Sequence, residues 1–445
     1  MKRAGILGLG RVGRSILSHL VSKKDEILLY DEDSQAYLHR YVKLSVENGQ
    51  ARVVNDPYLL KDSDIIIKSP GIPNDALWLK QLDATGAEIV DEVEFTWREL
   101  GKPRTVAITG TNGKSTTTAW TTEVLKAGGL NIFCGGNIAP GRPFSDALSE
   151  TRKDVYVIEI STFQLERCPT FRPGIGVLLN VTDDHLNRHT SAEYLDLKLS
   201  LFKNASNGDA SVLNADASKI MNEFVRIGGK HVLFSLERKD VDAFLDNGDL
   251  VWRGDKTIAR KQLPLPGRHN VANALAVICV ASYIGLDPER IESGLKSFSG
   301  LPHRMQYLGV IEGHEIYNNS MCTNPEAFYH SLYAFDEPSV VIAGGTEKGL
   351  SIEPFLSGVK ERARFVVLFG ENAGKLKGIL ESKLNFSSCV IVDSLRAALE
   401  AALENSVQGE RILFAPGFAS FGNFKNFEER GDAFIKAYRD ISKKH

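Results

Sequence analysis

The stretch "VAITGTNGKSTTTAW", Val106–Trp120, decides the fold. An apolar strand runs into a loop bounded by Gly110 and Gly113, and Lys114-Ser115-Thr116 open a run of helix-compatible residues. Strand, glycine loop and lysine at a helix start make an anion cradle. The first N–H groups of a helix have no intrahelical acceptor, and the helix dipole adds partial positive charge there. Only two residues separate these glycines, fewer than in the usual Walker A spacing, but the flanking elements make the pattern specific. Lys114 is placed to reach β- and γ-phosphates, and the hydroxyl of Ser115 or Thr116 to meet Mg²⁺. Hydrolysis, phosphoryl transfer and activation of a carboxylate all begin from such a loop.

Outward from this loop the chain alternates strand and helix. "RAGILGLG", "EILLYDED" and "SDIIIKSPGI" read as strands before it, with "RVGRSILSHLVSK" as an amphipathic helix. "DVYVIEIS" and "IGVLLNV" follow it. "PSVVIAGG", "RFVVLFGE", "SCVIVDS" and "RILFAPG" form a third set, with "SLRAALEAALENS" helical between them. Repeated βα units predict parallel sheets. The break at Gly101-Lys102-Pro103 and the passage through "GLKSFSGLPHR" divide the chain into residues 1–100, 101–298 and 299–445. The expectation is a three-domain α/β protein, with Rossmann-like outer domains around a central P-loop domain.

Composition agrees with a soluble protein. In 445 residues, 43% are hydrophobic and 24% charged, and the net charge of −3 gives no general attraction to nucleic acid or acidic membranes. The glycine-broken start "MKRAGILGLGRVG" is expected to be neither signal peptide nor anchor, and no run of about 18 apolar residues suggests membrane insertion. Five cysteines without CxxC spacing fit a reduced, cytoplasmic setting rather than a zinc site.

Two further patterns bear on chemistry. Gly8-Leu9-Gly10-Arg11-Val12-Gly13 fits GxGxxG, with Asp31 ending the next strand, so the acid faces a ribose or base, or the loop is only a tight turn. Ligands of parallel sheets collect beyond the carboxyl ends of the strands. Glu159 ends one strand of the central section, and Asn180, Asp184 and His185 follow another. A hard cation on phosphates takes oxygen ligands and tolerates imidazole, which makes Glu159 and His185 candidate metal ligands. "HLNRH" lacks HExxH and a nearby thiolate, so it does not argue for zinc.

In chain order, GTNGKST, EISTFQLE, NVTDDHLNRH, Tyr194-Leu-Asp-Leu-Lys198, GRHNVANALA and LPHR resemble the Mur ligase family. GGTEKG and FKNFEERGDAF resemble its D-glutamate-adding branch. The resemblance implies a cytoplasmic, monomeric, ADP-forming ligase of peptidoglycan precursor synthesis. It would use ATP and two Mg²⁺ ions to join D-glutamate to a UDP-linked muramoyl-alanine through an acyl phosphate, with no nucleic-acid partner. By motif match, Gly110, Thr111, Asn112, Gly113, Lys114, Ser115, Thr116, Asn270 and Arg304 bind ATP, and Ser115, Glu159, His185 and Lys198 hold metal. Lys198 matches the carbamylated lysine of the family, whose carbamate is an anionic oxygen ligand where an ammonium would repel cations. YxxxK spacing alone does not displace the reading of an exposed helix lysine. Lys114, Lys198, His185 and Arg304 form the catalytic set. Ser69, Gly71 and Asn137 match substrate positions, and Thr323, Lys348, Ser420 and Phe427 match those around the amino acid. The three sections then bind UDP-substrate, ATP and amino acid in turn.

This sequence departs from the branch at one motif above all. Where relatives read Asp-Ser-Lys, it has Asn319-Ser320-Met321, losing an acid and an ammonium together. Gln306 stands where Glu is usual, "APGFASFGNF" lacks the acid often seen after its serine, and "DED" has no basic residue beside it. A Mur-like ligase for another carboxylate or amine is the main alternative. A P-loop kinase or switch NTPase lacks support from any separate kinase motif, and a dehydrogenase would need a dinucleotide at Gly8–Gly13.

Overall fold

The computed structural model describes residues 3–138, 141–182, 190–265, 267–335, 337–422 and 424–443. Among them the chain gathers into two compact units, residues 1–263 with 271–298, and residues 264–270 with 299–445.

The first unit holds two sheets. Five parallel strands, β1 (Arg3–Leu7), β2 (Glu26–Tyr30), β3 (Arg52–Val53), β4 (Ile65–Lys68) and β5 (Ile89–Asp91), lie in the order β3-β2-β1-β4-β5. Alternation splits their side chains between two cores. Ile6, Ile27, Leu29 and Ile67 pack with Ile16, Leu17 and Leu20 of the Arg11–Lys23 helix, while Leu7, Leu28 and Ile66 pack with Leu79 and Leu82. A parallel sheet buried on both faces needs such apolar runs. Gly13 permits the helix to start against the strand turn, because a Cβ there would lie 1.9 Å from the Gly8 carbonyl oxygen.

The second sheet has nine strands: β6 (Thr105–Thr109), β7 (Ile132–Gly136), β8 (Val155–Glu159), β9 (Ile175–Leu178), β10 (Ala210–Asn214), β11 (Lys230–Ser235), β12 (Ala243–Asp246), β13 (Asp249–Trp252) and β14 (Asp255–Ala259). Their order is β14-β13-β12-β11-β10-β9-β6-β8-β7, parallel from β7 to β12, with β13 and β14 antiparallel at one edge. All five β6 residues are buried. The Lys114–Ala127 helix covers one face and packs on the Pro288–Ser297 helix. There Trp120 donates to the Leu295 carbonyl at 3.2 Å and stacks on Phe298.

The second unit carries β15 (Gln306–Ile311), β16 (His314–Asn318), β17 (Ser339–Ala343), β18 (Ala363–Leu368), β19 (Cys389–Ile391) and β20 (Ile412–Phe414). They run in the order β15-β16-β20-β17-β18-β19, parallel except for the β15–β16 hairpin. The α/β class with three parallel-dominated sheets is thus as the sequence predicts. The antiparallel edges β13–β14 and β15–β16 are additions. No described helix is long and apolar enough to cross a membrane.

Candidate functional site

β6 lies between β8 and β9, so the loop at its carboxyl end sits among the ends of all three. Gly113 caps the Lys114–Ala127 helix at φ +83°, and a Cβ there would approach Asn273 Oδ1 to 2.5 Å. No L side chain fits that position without strain. Lys114 is the first helical residue, and its Nζ donates to the Thr111 carbonyl at 2.8 Å, within the loop itself.

Asn180, just past β9, clamps this loop. Its carbonyl accepts the Thr111 N–H (3.1 Å), its Oδ1 the Asn112 N–H (2.8 Å), and its Nδ2 donates to the Asn112 carbonyl (3.0 Å). Thr111 and Thr182 exchange two more bonds, each 3.1 Å. With those loop N–H groups occupied by Asn180, the donors facing an anion are those of the first helical turn.

Glu159 is buried at the end of β8. Its Oε2 accepts the Ser115 hydroxyl at 2.6 Å and its Oε1 the Asn137 amide at 3.2 Å. Ser115, rather than Thr116, therefore faces the acid. A carboxylate, a hydroxyl and an amide oxygen beside an anion cradle are the donors a hard cation takes. Lys198 is 1% exposed, which excludes the reading of a solvated helix lysine. It sits in the last turn of the Ser191–Leu199 helix, its Nζ donating to the Gly110 carbonyl at 2.9 Å and lying 4.4 Å from the Tyr194 ring centroid. His185 and Asp184 lie outside the described residues, and no cluster of three or more His, Cys, Asp or Glu side chains suited to a metal occurs among those described.

In the first sheet, Ser69 follows β4 and its hydroxyl donates to the Gly8 carbonyl at 3.1 Å, while Gly71 is exposed. Asp31 accepts the N–H groups of Leu9 (2.5 Å) and Asp33 (2.9 Å), so it braces the GxGxxG turn.

The second unit holds the remaining candidates. Asn270 is buried, with its N–H on the Gly267 carbonyl at 3.1 Å. Arg304 Nε donates to Met321 Sδ at 3.1 Å. Asn319 accepts the Met305 N–H (3.1 Å) and donates to Ser331 (2.6 Å), and Ser320 donates to the Phe427 carbonyl (2.8 Å). Beneath them Arg430, fully buried, donates to Phe418 O, Ser320 O and Ser320 Oγ; burial lowers its guanidinium to about 10. Thr323 and Lys348 line one cavity of about 160 Å³, joined by Glu347 and Lys375. Ser420 lines an adjoining hollow with Thr346 and Glu371, and Phe427 lines neither. Sequence reasoning gave no role to Asn180, although it follows a central strand, and passed over Asn273 and Arg430 inside quoted motifs. Lys375 belongs to no motif.

Comparison with known proteins shows the family. The Mur ligase middle domain model matches residues 108–281, and the Mur ligase MurD-like N-terminal domain model residues 2–91. The chain is 35% identical over 453 residues to the UDP-N-acetylmuramoylalanine–D-glutamate ligase of Caldanaerobacter subterraneus subsp. tengcongensis, covering 99% of this chain and 98% of that one. It is 34% identical to the enzyme of that name from Alkaliphilus oremlandii, over 97% of each. Among solved structures, a MurF ligase from Thermotoga maritima in complex with ADP shares the fold. Its TM-score is 0.57 at 17% identity, over 94% of this chain and 95% of that one.

Proposed function

The chain belongs to the Mur ligase family, and from that premise we propose that it joins D-glutamate to UDP-N-acetylmuramoyl-L-alanine at the expense of ATP. Its setting is peptidoglycan precursor synthesis. Full-length relatives bearing that activity in their names support the reading, as does the ADP held by a neighbour of the same fold. The observation that carries it is the buried Ser115–Glu159 pair beside the Lys114 loop, an oxygen donor set at the mouth of an anion cradle.

A carboxylate cannot lose oxide to an amine, so it needs a better leaving group. A substrate carboxylate oxygen attacks the γ-phosphorus, and the bond from that phosphorus to ADP breaks. The amine nitrogen then attacks the acyl carbon, the carbon–oxygen bond to phosphate breaks, and the nitrogen sheds a proton. Lys114 and Arg304 hold negative charge on the phosphates, where preorganised cations act on developing charge. The Gly110–Thr116 loop and Asn270 orient the nucleotide, Asn270 at the adenine. Ser69, Gly71 and Asn137 hold the UDP-linked substrate, and Thr323, Lys348, Ser420 and Phe427 the amino acid. Ser115 and Glu159 would hold Mg²⁺, with His185 a further ligand. The ion, when bound, neutralises charge between the two anions. Lys198 completes this set as a carbamate; its burial against the Gly110 carbonyl supports that role. Residues 1–100, 101–298 and 299–445 then serve the UDP-substrate, ATP and amino acid in turn, in a cytoplasmic monomer.

A phosphate-release screen tests the reading. With ATP, UDP-MurNAc-L-Ala and a panel of D- and L-amino acids, phosphate should appear only when carboxylate and amine are both present, and fastest with D-glutamate. Faster release with a neutral amino acid would reassign the acceptor, and release without any amine would remove the ligase.

A further inference from the structure

The motif that departs most from relatives has become scaffold. Met321 Sδ receives the Arg304 Nε–H, Asn319 is bonded to Met305 and Ser331, and Ser320 is bonded to Phe427 and Arg430. None of these side chains brings a cation toward an acidic acceptor. Yet the cavity lined by Thr323 and Lys348 carries a second ammonium. Lys375, on the Ala373–Leu384 helix, faces it and pairs with Glu347 at 2.8 Å. The backbone holds this lysine in place. Asn372, immediately before the helix, accepts the Gly345 N–H on Oδ1 (2.9 Å) and donates its own N–H to the Gly345 carbonyl (3.1 Å). That locks the start of the helix to the loop bearing Lys348.

We propose that Lys375 is a specificity-determining residue that acts with Lys348 on the side-chain carboxylate of the acceptor, replacing the ammonium absent at Met321. The inference rests on the acceptor being a dicarboxylic amino acid, as proposed above. Charge complementarity supports it. The charged groups lining the cavity are two ammoniums, Lys348 and Lys375, and one carboxylate, Glu347. A dicarboxylic amino acid presents the mirror set, two carboxylates and one ammonium. Burying either acceptor carboxylate without a partner is costly, and without Lys375 the cavity would offer Lys348 as its single lining cation for two carboxylates. Glu347 both orients Lys375 and offers the acceptor ammonium an acceptor of its own.

The test is steady-state kinetics on the full-length enzyme with D-glutamate and D-glutamine as acceptors. Lys375–Glu347 is a solvent-exposed pair that contributes little to folding, so Lys375→Met should remain folded. It should raise the D-glutamate KM about tenfold, the scale of losing one charged hydrogen-bond partner. The ATP KM should stay put and the preference for D-glutamate over D-glutamine should collapse. Lys375→Arg should keep most of that preference, and Met321→Lys added to Lys375→Met should restore it. A D-glutamate KM within about twofold of wild type in Lys375→Met, with the preference intact, overturns the assignment. Wild-type enzyme that ignores D-glutamate altogether instead overturns the function on which it rests.

Discussion

The phosphate loop and the acceptor segment handle their functional side chains in opposite ways. In the loop, the expected residues are fastened to one another: Lys114 to Thr111, Lys198 to Gly110, Ser115 to Glu159. The anion site is built mainly from backbone, and backbone geometry forces glycine and a strand–helix junction into the sequence. In the segment Asn319–Met321, at the position of a recognition motif, the side chains are bonded within their own unit. The charge that faces the cavity comes from Lys348 and, on a separate helix, Lys375. Function carried by backbone leaves a pattern; function carried by one long side chain can move to another element without one.

The comparison breaks first if Lys114 proves dispensable. Lys114→Ala should lower turnover on the order of 10²–10³-fold with circular dichroism and melting temperature unchanged, since it removes charge and no core. Asn180→Ala comes next. Freeing the Thr111–Asn112 backbone should raise the ATP KM and cut turnover roughly ten- to hundredfold, the cost of a slightly misplaced catalytic geometry. The acceptor KM should hardly change, and equal loss in both would mean that the clamp is only structural. On the acceptor side, Lys348→Met should raise the D-glutamate KM about tenfold with the ATP KM steady. A retuned site for a neutral amine would tolerate that change.

The smallest effect is one of stability, away from both regions. Glu92 is buried and accepts the Ser145 N–H, and desolvation raises its carboxyl from 4.5 to about 7. The native state therefore keeps a proton that the unfolded chain releases across that window. Wild-type stability from this group falls as pH rises from about 4.5 to about 7. Glu92→Gln should stabilise the protein at pH 8 by up to about 3 kcal/mol and differ little at pH 5, as read by urea unfolding at both values. Turnover at pH 8 should be unaffected.

Much of the fold was legible because its strands are buried runs: β1, β4, β8, β17 and β20 lie within the quoted stretches, and β6 does so but for its first residue. The edge hairpins β13–β14 and β15–β16 were not. Half-exposed strands such as Asp249–Trp252 and Gln306–Ile311 mix polar and apolar residues without a clean period. In the phosphate site, Ser115 meets Glu159 and Lys114 opens the helix after the loop, while Asn137, matched to a substrate position, bonds Glu159 instead. The acceptor group is less coherent: Thr323 and Lys348 share a cavity, Ser420 stands next door, and Phe427 contributes its carbonyl to Ser320. Asn180 escaped because a strand-end asparagine resembles any loop residue until the hydrogen bonds are seen. Lys375 escaped because only tertiary packing brings its helix to the Lys348 loop.

The central claim is that phosphate leaves on an oxygen taken from the substrate carboxylate. The most direct measurement supplies UDP-MurNAc-L-Ala with ¹⁸O in its alanyl carboxylate, together with ATP, Mg²⁺ and D-glutamate, and weighs the released phosphate by mass spectrometry. Attack on the γ-phosphorus followed by amine displacement predicts one ¹⁸O in each phosphate and one retained in the new amide carbonyl. Unlabelled phosphate, with both labels left in an unreacted carboxylate, would mean that the loop activates water, and the ligase account would be wrong.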